Sequence, residues 1–267
     1  MSINPLTNKE LKEQAPTLFT EQPHSNVSDK YHFIPTIDVI EEIKLNNWYP
    51  VTVSQAKVRD EEKEGTQQHM VRFRHFDDLL NPQENAVELF NSHDRSKSFS
   101  ISAGVYRFVC ANGLVVADSI FETYKIRHLG EKANDVVTAV NNISAIKPKL
   151  ISNITQLESI ILSPEEKESF AKSSIPLRFD SHLKVDHNNL LISHRVEDNK
   201  DDLYTILNII QENLLRGNVS GINKDTKRKF TSKRISSISK DVEINKGLWE
   251  LAQRIAFIKE HHIALAA

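Results

Sequence analysis

The hydrophobic repeat of this chain changes once, near residue 130, and that change decides its fold class. Between Val51 and His128 apolar residues recur at every second position, the period of a strand. After Gly130 they recur every three or four residues, the period of a helix. Ahead of the strands, Ile37, Val39, Ile40 and Ile43 mark the apolar stripe of a short helix over 36–46. Strands that precede helices, rather than alternate with them, predict an α+β fold. The expected architecture is an antiparallel sheet preceded by a short helix and followed by a helical C-terminal half.

Within the strand region, His69–Phe76 (HMVRFRHF) alternates sharply. Val71 and Phe73 are expected to face the core, which leaves Arg72 and Arg74 side by side on an open face. Ala86–Asn91, Ser98–Cys110 and Leu114–His128 supply further strands, with Asn112-Gly113 as a two-residue turn. In the helical half, Ser163-Pro164-Glu165-Glu166 carries an N-cap serine, a proline at the first helical position and a glutamate at the third. Leu203, Ile206, Leu207, Ile210 and Leu214 form an amphipathic helix closed by Gly217, and Ile244–Ile258 carries a final one. Residues 1–30 hold three prolines and no sustained period, so they are expected to be a flexible tail. The predicted organisation is therefore a tail over 1–30, a sheet region over 31–130, and a helical region over 131–267 packed on it.

Composition removes several function classes. The N-terminus, MSINPLTNKELKEQ, has no apolar run of signal-peptide type, and nothing approaches a membrane span, so a cytoplasmic protein is expected. The single cysteine, Cys110, excludes an internal disulfide and cysteine-based zinc modules. None of the seven glycines builds a phosphate cradle, so no nucleotide cofactor is expected. No metal is expected either. Asp38…Glu42-Ile43-Lys44 imitates a nuclease motif but lies on a helix, Glu122-Thr123-Tyr124-Lys125 is one residue too long, and His93-Asp94 is a single pair.

Formal net charge is −2, yet charge is unevenly placed. From Arg216 to Lys240 there are eight basic residues (Arg216, Lys224, Lys227, Arg228, Lys229, Lys233, Arg234, Lys240) and one acid, Asp225. This stretch is poor in apolar residues, so 217–240 is expected to be a mobile basic loop. Such loops neutralise phosphates and release counterions. The alternative is a solvated loop that balances acids elsewhere. Opposite it, the sheet is expected to present Arg72, Arg74, Arg107 and Arg127 with His128. Basic side chains on a sheet with neighbouring aromatics hold single-stranded nucleic acid. Tyr106 and Tyr124 are the aromatics at hand, but alternation places Tyr106 opposite Arg107 and Tyr124 in the core. The competing structural role for Arg72 and Arg74 is pairing with Glu88 and Glu122.

Five ordered motifs carry a resemblance. Asn91-Ser92-His93-Asp94, Cys110-Ala-Asn112-Gly113-Leu114, Ile126-Arg127-His128-Leu-Gly130, Gln211-Glu212-Asn213-Leu214-Leu215-Arg216-Gly217 and Asn245-Lys246-Gly247-Leu248-Trp249 resemble the phage/plasmid-like family known as domain of unknown function 932. The resemblance runs from about Thr36 to Lys259 and implies carriage on a prophage, plasmid or similar element. It implies no activity.

The leading expectation is a non-enzymatic DNA-binding protein that handles single-stranded DNA in recombination, replication or repair. Phage annealing proteins also join a small antiparallel sheet to helices, and by that analogy of architecture a homo-oligomer or ring is expected. One rival is an anti-defence or regulatory protein that binds a host protein. Another is a hydrolase using His93, Asp94 and Cys110, in which an imidazole would activate the thiol.

Overall fold

The computed structural model describes residues 4–27, 33–57, 64–79, 84–94, 99–108, 115–126, 138, 142, 152–196 and 198–261, with the backbone alone at 78, 84–86, 102–108 and 115–126. The chain divides into two compact units, residues 1–107 with 120–150, and residues 108–119 with 151–267. The fold is α+β: a short helix and an antiparallel sheet, then a second small sheet and a helical C-terminal region.

The first unit begins earlier than the sequence suggests. Helix α1 (Asn8–Gln14) is started by a capping box, in which the Glu10 amide donates to Thr7 Oγ1 at 3.3 Å and the Thr7 amide donates to Glu10 Oε2 at 2.8 Å. A 3-10 turn follows at Pro16–Phe19. Leu11, Ala15 and Leu18 have no exposed surface, and the Thr17 hydroxyl donates to Gln55 Oε1 at 3.1 Å. The expectation of a flexible tail over 1–30 is therefore corrected for this segment. Its apolar residues are four and three apart, with Leu11 on α1, Ala15 just past its end and Leu18 in the following turn, and all three are buried.

Helix α2 (Thr36–Leu45) buries Val39, Ile40 and Ile43, as its stripe predicts, and stops at Asn46 with Asn47 at φ 62°. Strands β1 (Trp48–Gln55), β2 (His69–His75), β3 (Glu84–Asn91), β4 (Phe99–Phe108) and β5 (Val115–Ile126) form one sheet in the order β1-β2-β3-β4-β5. The pairs β1–β2, β2–β3 and β3–β4 are antiparallel. In the β2–β3 register Arg72 stands directly opposite Glu88, and Val71 opposite Leu89. The predicted turn at Asn112-Gly113, and Cys110, Arg127 and His128, lie outside the described residues, and of the helix expected around Val136–Ile143 only Thr138 and Asn142 are described, both helical.

The second unit opens with a helical segment at 152–159, followed by α3 (Pro164–Ser174). Ser163 caps α3 in the box that the sequence predicts, with the Glu166 amide donating to Ser163 Oγ at 3.3 Å. Strand β6 (Leu183–Val185) precedes α4 (Leu203–Arg216), which is buried from Leu203 to Leu215 on every side. An amphipathic stripe of leucine and isoleucine understates this burial. The polar positions of α4 are also inside, because each finds an internal partner. Strands β7 (Ser220–Asn223) and β8 (Lys229–Thr231) then pair, and α5 (Ile238–Glu260) completes the unit. Leu207, Ile210 and Leu214 of α4 share a core with Ile244, Leu248 and Ala252 of α5.

The basic stretch is thus not a mobile loop. Residues 220–231 form a hairpin within a three-stranded sheet of order β6-β7-β8, and 238–240 begin α5. Few apolar residues suffice to order it, because Gly221, Phe230, Leu183 and Val185 alternate inward while the basic residues point out.

Candidate nucleic-acid interface

The sheet arginines do not form an open binding face. Arg72 and Arg74 are 4% and 2% exposed. Arg72 donates through Nε to Glu88 Oε1 at 2.8 Å and also through Nη2, and Glu88 is itself buried. Both faces of β2 are closed at these residues, so the expected open face is corrected. A guanidinium leaves water at large cost unless a carboxylate answers it, and the residue directly opposite is that carboxylate. Arg107 lies on β4, and only its backbone is described.

Asn91 and His93 belong to a buried polar knot. The His69 Nδ1–H donates to the Gln67 carbonyl at 3.1 Å, which leaves its Nε2 bare to accept the Thr36 hydroxyl at 2.8 Å. Thr36 Oγ1 accepts from Asn91 Nδ2 at 3.0 Å. The His93 Nε2–H donates to the Thr17 carbonyl at 3.2 Å. The two imidazoles lie 5.0 Å apart between ring centres. These bonds tie the N-terminal segment, α2 and the sheet together, so His93 holds structure here. Asp94 is half-buried next to it. Among the described residues, no group of three or more histidine, cysteine or carboxylate side chains is placed to hold a metal ion.

Burial and then the neighbouring His93 push His69 down to about 3. It stays neutral when folded and takes a proton near its ordinary value when unfolded, so its contribution is complete above about pH 6.5 and is lost as pH falls toward 3. Between pH 7 and pH 5 this one group should cost about 2 kcal/mol, at about 1.4 kcal/mol per pH unit below 6.5. Urea melts of the wild type and His69→Gln at both pH values check this. The variant is expected to lose less stability on acidification, and equal losses would contradict it.

The basic residues of the second unit are presented differently. Lys224, Lys227, Arg228, Lys229, Lys233 and Arg234 are all exposed, as is Lys184 on β6. Among the described residues, no carboxylate pairs with Lys227, Arg228, Lys229, Lys233 or Arg234. Arg216, at the end of α4, lies 3.4 Å from Glu212, a buried carboxylate that also faces Arg195 at 3.4 Å. Local bonds fix the hairpin tip. Asn223 Oδ1 accepts from the amides of Asp225 and Thr226, both at 2.9 Å. The Lys227 amide donates to the Asn223 carbonyl at 2.9 Å. Lys224 Nζ reaches the Ser181 carbonyl at 2.6 Å. At the hairpin root, the Asn218 amide donates to the Ser232 carbonyl at 2.8 Å, and Arg178 Nη2 donates to the Lys233 carbonyl.

One backbone angle stands out. Asn47, Asn218 and Lys227 are the non-glycine residues with positive φ among those described. Asparagine tolerates this region through its short polar side chain, whereas lysine at φ 57° is strained. A lysine therefore occupies the turn position that glycine or asparagine would fill with less strain.

The later motifs of the sequence meet in this unit. Gln211 Nε2 donates to Asn245 Oδ1, and Asn245 Nδ2 donates in turn to Asp241. Gly217 lies against the backbone of Lys233 and Arg234, and Gly247 against Leu177. Local pattern carries no sign of the roles of Arg195 and Phe179, whose partners Glu212 and Phe230 are distant in the chain.

No helix among the described residues is long and apolar enough to cross a membrane. No solved structure matches the chain. Two proteins of Escherichia coli (strain K12), UPF0380 protein YfjQ and UPF0380 protein YafZ, are each 31% identical to it over 252 residues, covering 94% of this chain and 92% of theirs. The model of the domain of unknown function DUF932 matches residues 23–249, which contain α2, the eight described strands, the buried His69, Asn91 and His93, and the basic hairpin. The chain belongs to that family.

Proposed function

We propose that this protein binds nucleic acid through its phosphate backbone, using the basic three-stranded sheet of the C-terminal unit. The supporting observation is an ordered hairpin that presents Lys227, Arg228 and Lys229, with Lys233 and Arg234 behind it, and pairs none of them with a carboxylate among the described residues. Exposed cations held on a fixed frame lose little entropy when they meet phosphates, and each contact releases counterions. The strained Lys227 agrees with this reading, since strain is kept where a side chain is needed. The single-strand handling expected from the sequence rested on Arg72, Arg74, Arg107 and Arg127 with His128 and on the basic stretch, and of these Arg72 and Arg74 are buried. A role in recombination, replication or repair remains part of the proposal, now carried by the hairpin.

The expected result concerns the variant Lys227→Asn/Arg228→Ser/Lys229→Ser/Arg234→Ser. It should bind DNA oligonucleotides of any sequence more weakly, and the slope of log affinity against log salt should fall by about three to four. Its stability should stay within about 1 kcal/mol of wild type, because exposed charges contribute little and Asn relieves the turn. Fluorescence anisotropy at several salt concentrations and a thermal melt measure both. An unchanged salt slope would remove the hairpin from the binding site.

A further inference from the structure

The cations of this sheet are not spread evenly. The backbone of Lys233 and Arg234 lies against Gly217, which brings the exposed side of Arg216 to the same end. Arg216, Lys233 and Arg234 therefore make one cluster at the hairpin root. Lys224, Lys227 and Arg228 make a second at its tip, where Asn223 fixes the turn. The ladder between them runs from Asn218, bonded to Ser232, to Asn223, bonded to Arg228. That is five residues of strand, or about 17 Å at about 3.3 Å each.

The surface between the clusters has its own character. Ser220, Ile222, Lys229 and Thr231 are the exposed residues of β7 and β8, and Lys184 of β6 stands opposite Ile222 on the other side. No exposed aromatic is among them: Phe230 points inward, with its ring 6.2 Å from that of Phe179 and against Gly221. Single strands are held by aromatic platforms on which bases stack, and this face offers none among the described residues. Short hydroxyls, one branched aliphatic residue and two lysines instead suit the edges of paired bases: hydroxyls bond either base, an aliphatic side chain meets the thymine methyl, and lysine meets guanine.

We infer that the ligand is duplex DNA, with the sheet lying across its major groove so that the root cluster meets phosphates on one side of the groove and the tip cluster those on the other. This rests on the nucleic-acid reading above. The major groove is about 12 Å wide and admits a β-ribbon, so a 17 Å ladder spans it and reaches both backbones. A lone strand lying along the ladder would reach both clusters as well, so the preference for a duplex rests on the missing aromatic platform and on charge. Charge density favours the duplex as well, with one phosphate per about 1.7 Å of axis against about 3.4 Å along one strand.

The test uses the full chain with a 20-base-pair duplex and each of its separated strands, by fluorescence anisotropy at two salt concentrations. Two variants divide the clusters: Lys227→Asn/Arg228→Ser at the tip and Lys233→Ser/Arg234→Ser at the root, each checked by a thermal melt. The duplex is expected to bind at least tenfold more tightly than either strand. Each variant should weaken duplex binding and lower its salt slope by about two. If single strands bind as tightly as the duplex while the slopes still fall, the duplex inference is overturned and the nucleic-acid reading stands. Loss in only one variant overturns the span across the groove. If neither form of DNA binds, both the inference and the reading fail.

Discussion

Replacing Glu88 with alanine should destabilise the protein by about 3–5 kcal/mol, the usual result of stranding one charge of a buried pair. Glu88 is 1% exposed and Arg72 4%, and the two stand in register on adjacent antiparallel strands. Without the carboxylate the guanidinium keeps its burial and loses the acceptor directly opposite it, and arginine cannot shed its proton to escape. The double variant Arg72→Met/Glu88→Leu removes both charges at similar volume and should lie within about 2 kcal/mol of wild type, or above it. Urea denaturation of the two variants separates the explanations. A loss below about 1 kcal/mol in Glu88→Ala would mean that Arg72 is solvated, and would reopen the β2 face as a phosphate site.

A comparable loss, about 3 kcal/mol or more, is expected for Gly217→Ala. Gly217 sits at φ 88° and ψ −151° just past α4, a region essentially restricted to glycine, and a side chain there costs about 1–3 kcal/mol in conformation alone. An added Cβ would also come within 2.6 Å of the Lys233 carbonyl carbon and 2.8 Å of the Arg234 amide nitrogen, both backbone atoms. Backbone cannot rotate aside, so the hairpin root must shift. Gly247→Ala is the control. Its Cβ would meet Leu177 Cδ2 at 2.4 Å, the far end of a flexible side chain, and alanine gains about 1 kcal/mol of helix propensity inside α5. That variant should remain within about 1 kcal/mol of wild type by the same melts. Equal losses at the two glycines would contradict the backbone clash.

Much of the fold was legible in local pattern. The stripe of Val39, Ile40 and Ile43, the alternation of β2, the capping box at Ser163 and the Leu203–Leu214 repeat each became the predicted element. Each depends on contacts within a few residues, and burying one face repeats at the period of the element. The same signal was present in Leu11, Ala15 and Leu18, with the Thr7…Glu10 box ahead of them, but three prolines led to the reading of a tail.

The site was much less legible, because its residues are decided by what lies across from them. Alternation assigns Arg72 and Arg74 to the face opposite Val71 and Phe73, and that part is right. Whether that face meets water depends on what covers it, and no period in β2 contains that information. Glu88 appeared in the sequence as the carboxylate able to pair with Arg72; only the β2–β3 register put it there and buried both. Likewise, composition alone made 217–240 look too polar to order. The hairpin orders because four inward residues from three strands pool their burial while backbone bonds close the root and tip, a gain that no single stretch displays. Sequence by itself determined the elements, since propensity, capping and period act locally. Tertiary structure alone decided which charges are paired inside and which are left facing solvent, since desolvation depends on neighbours that are distant along the chain.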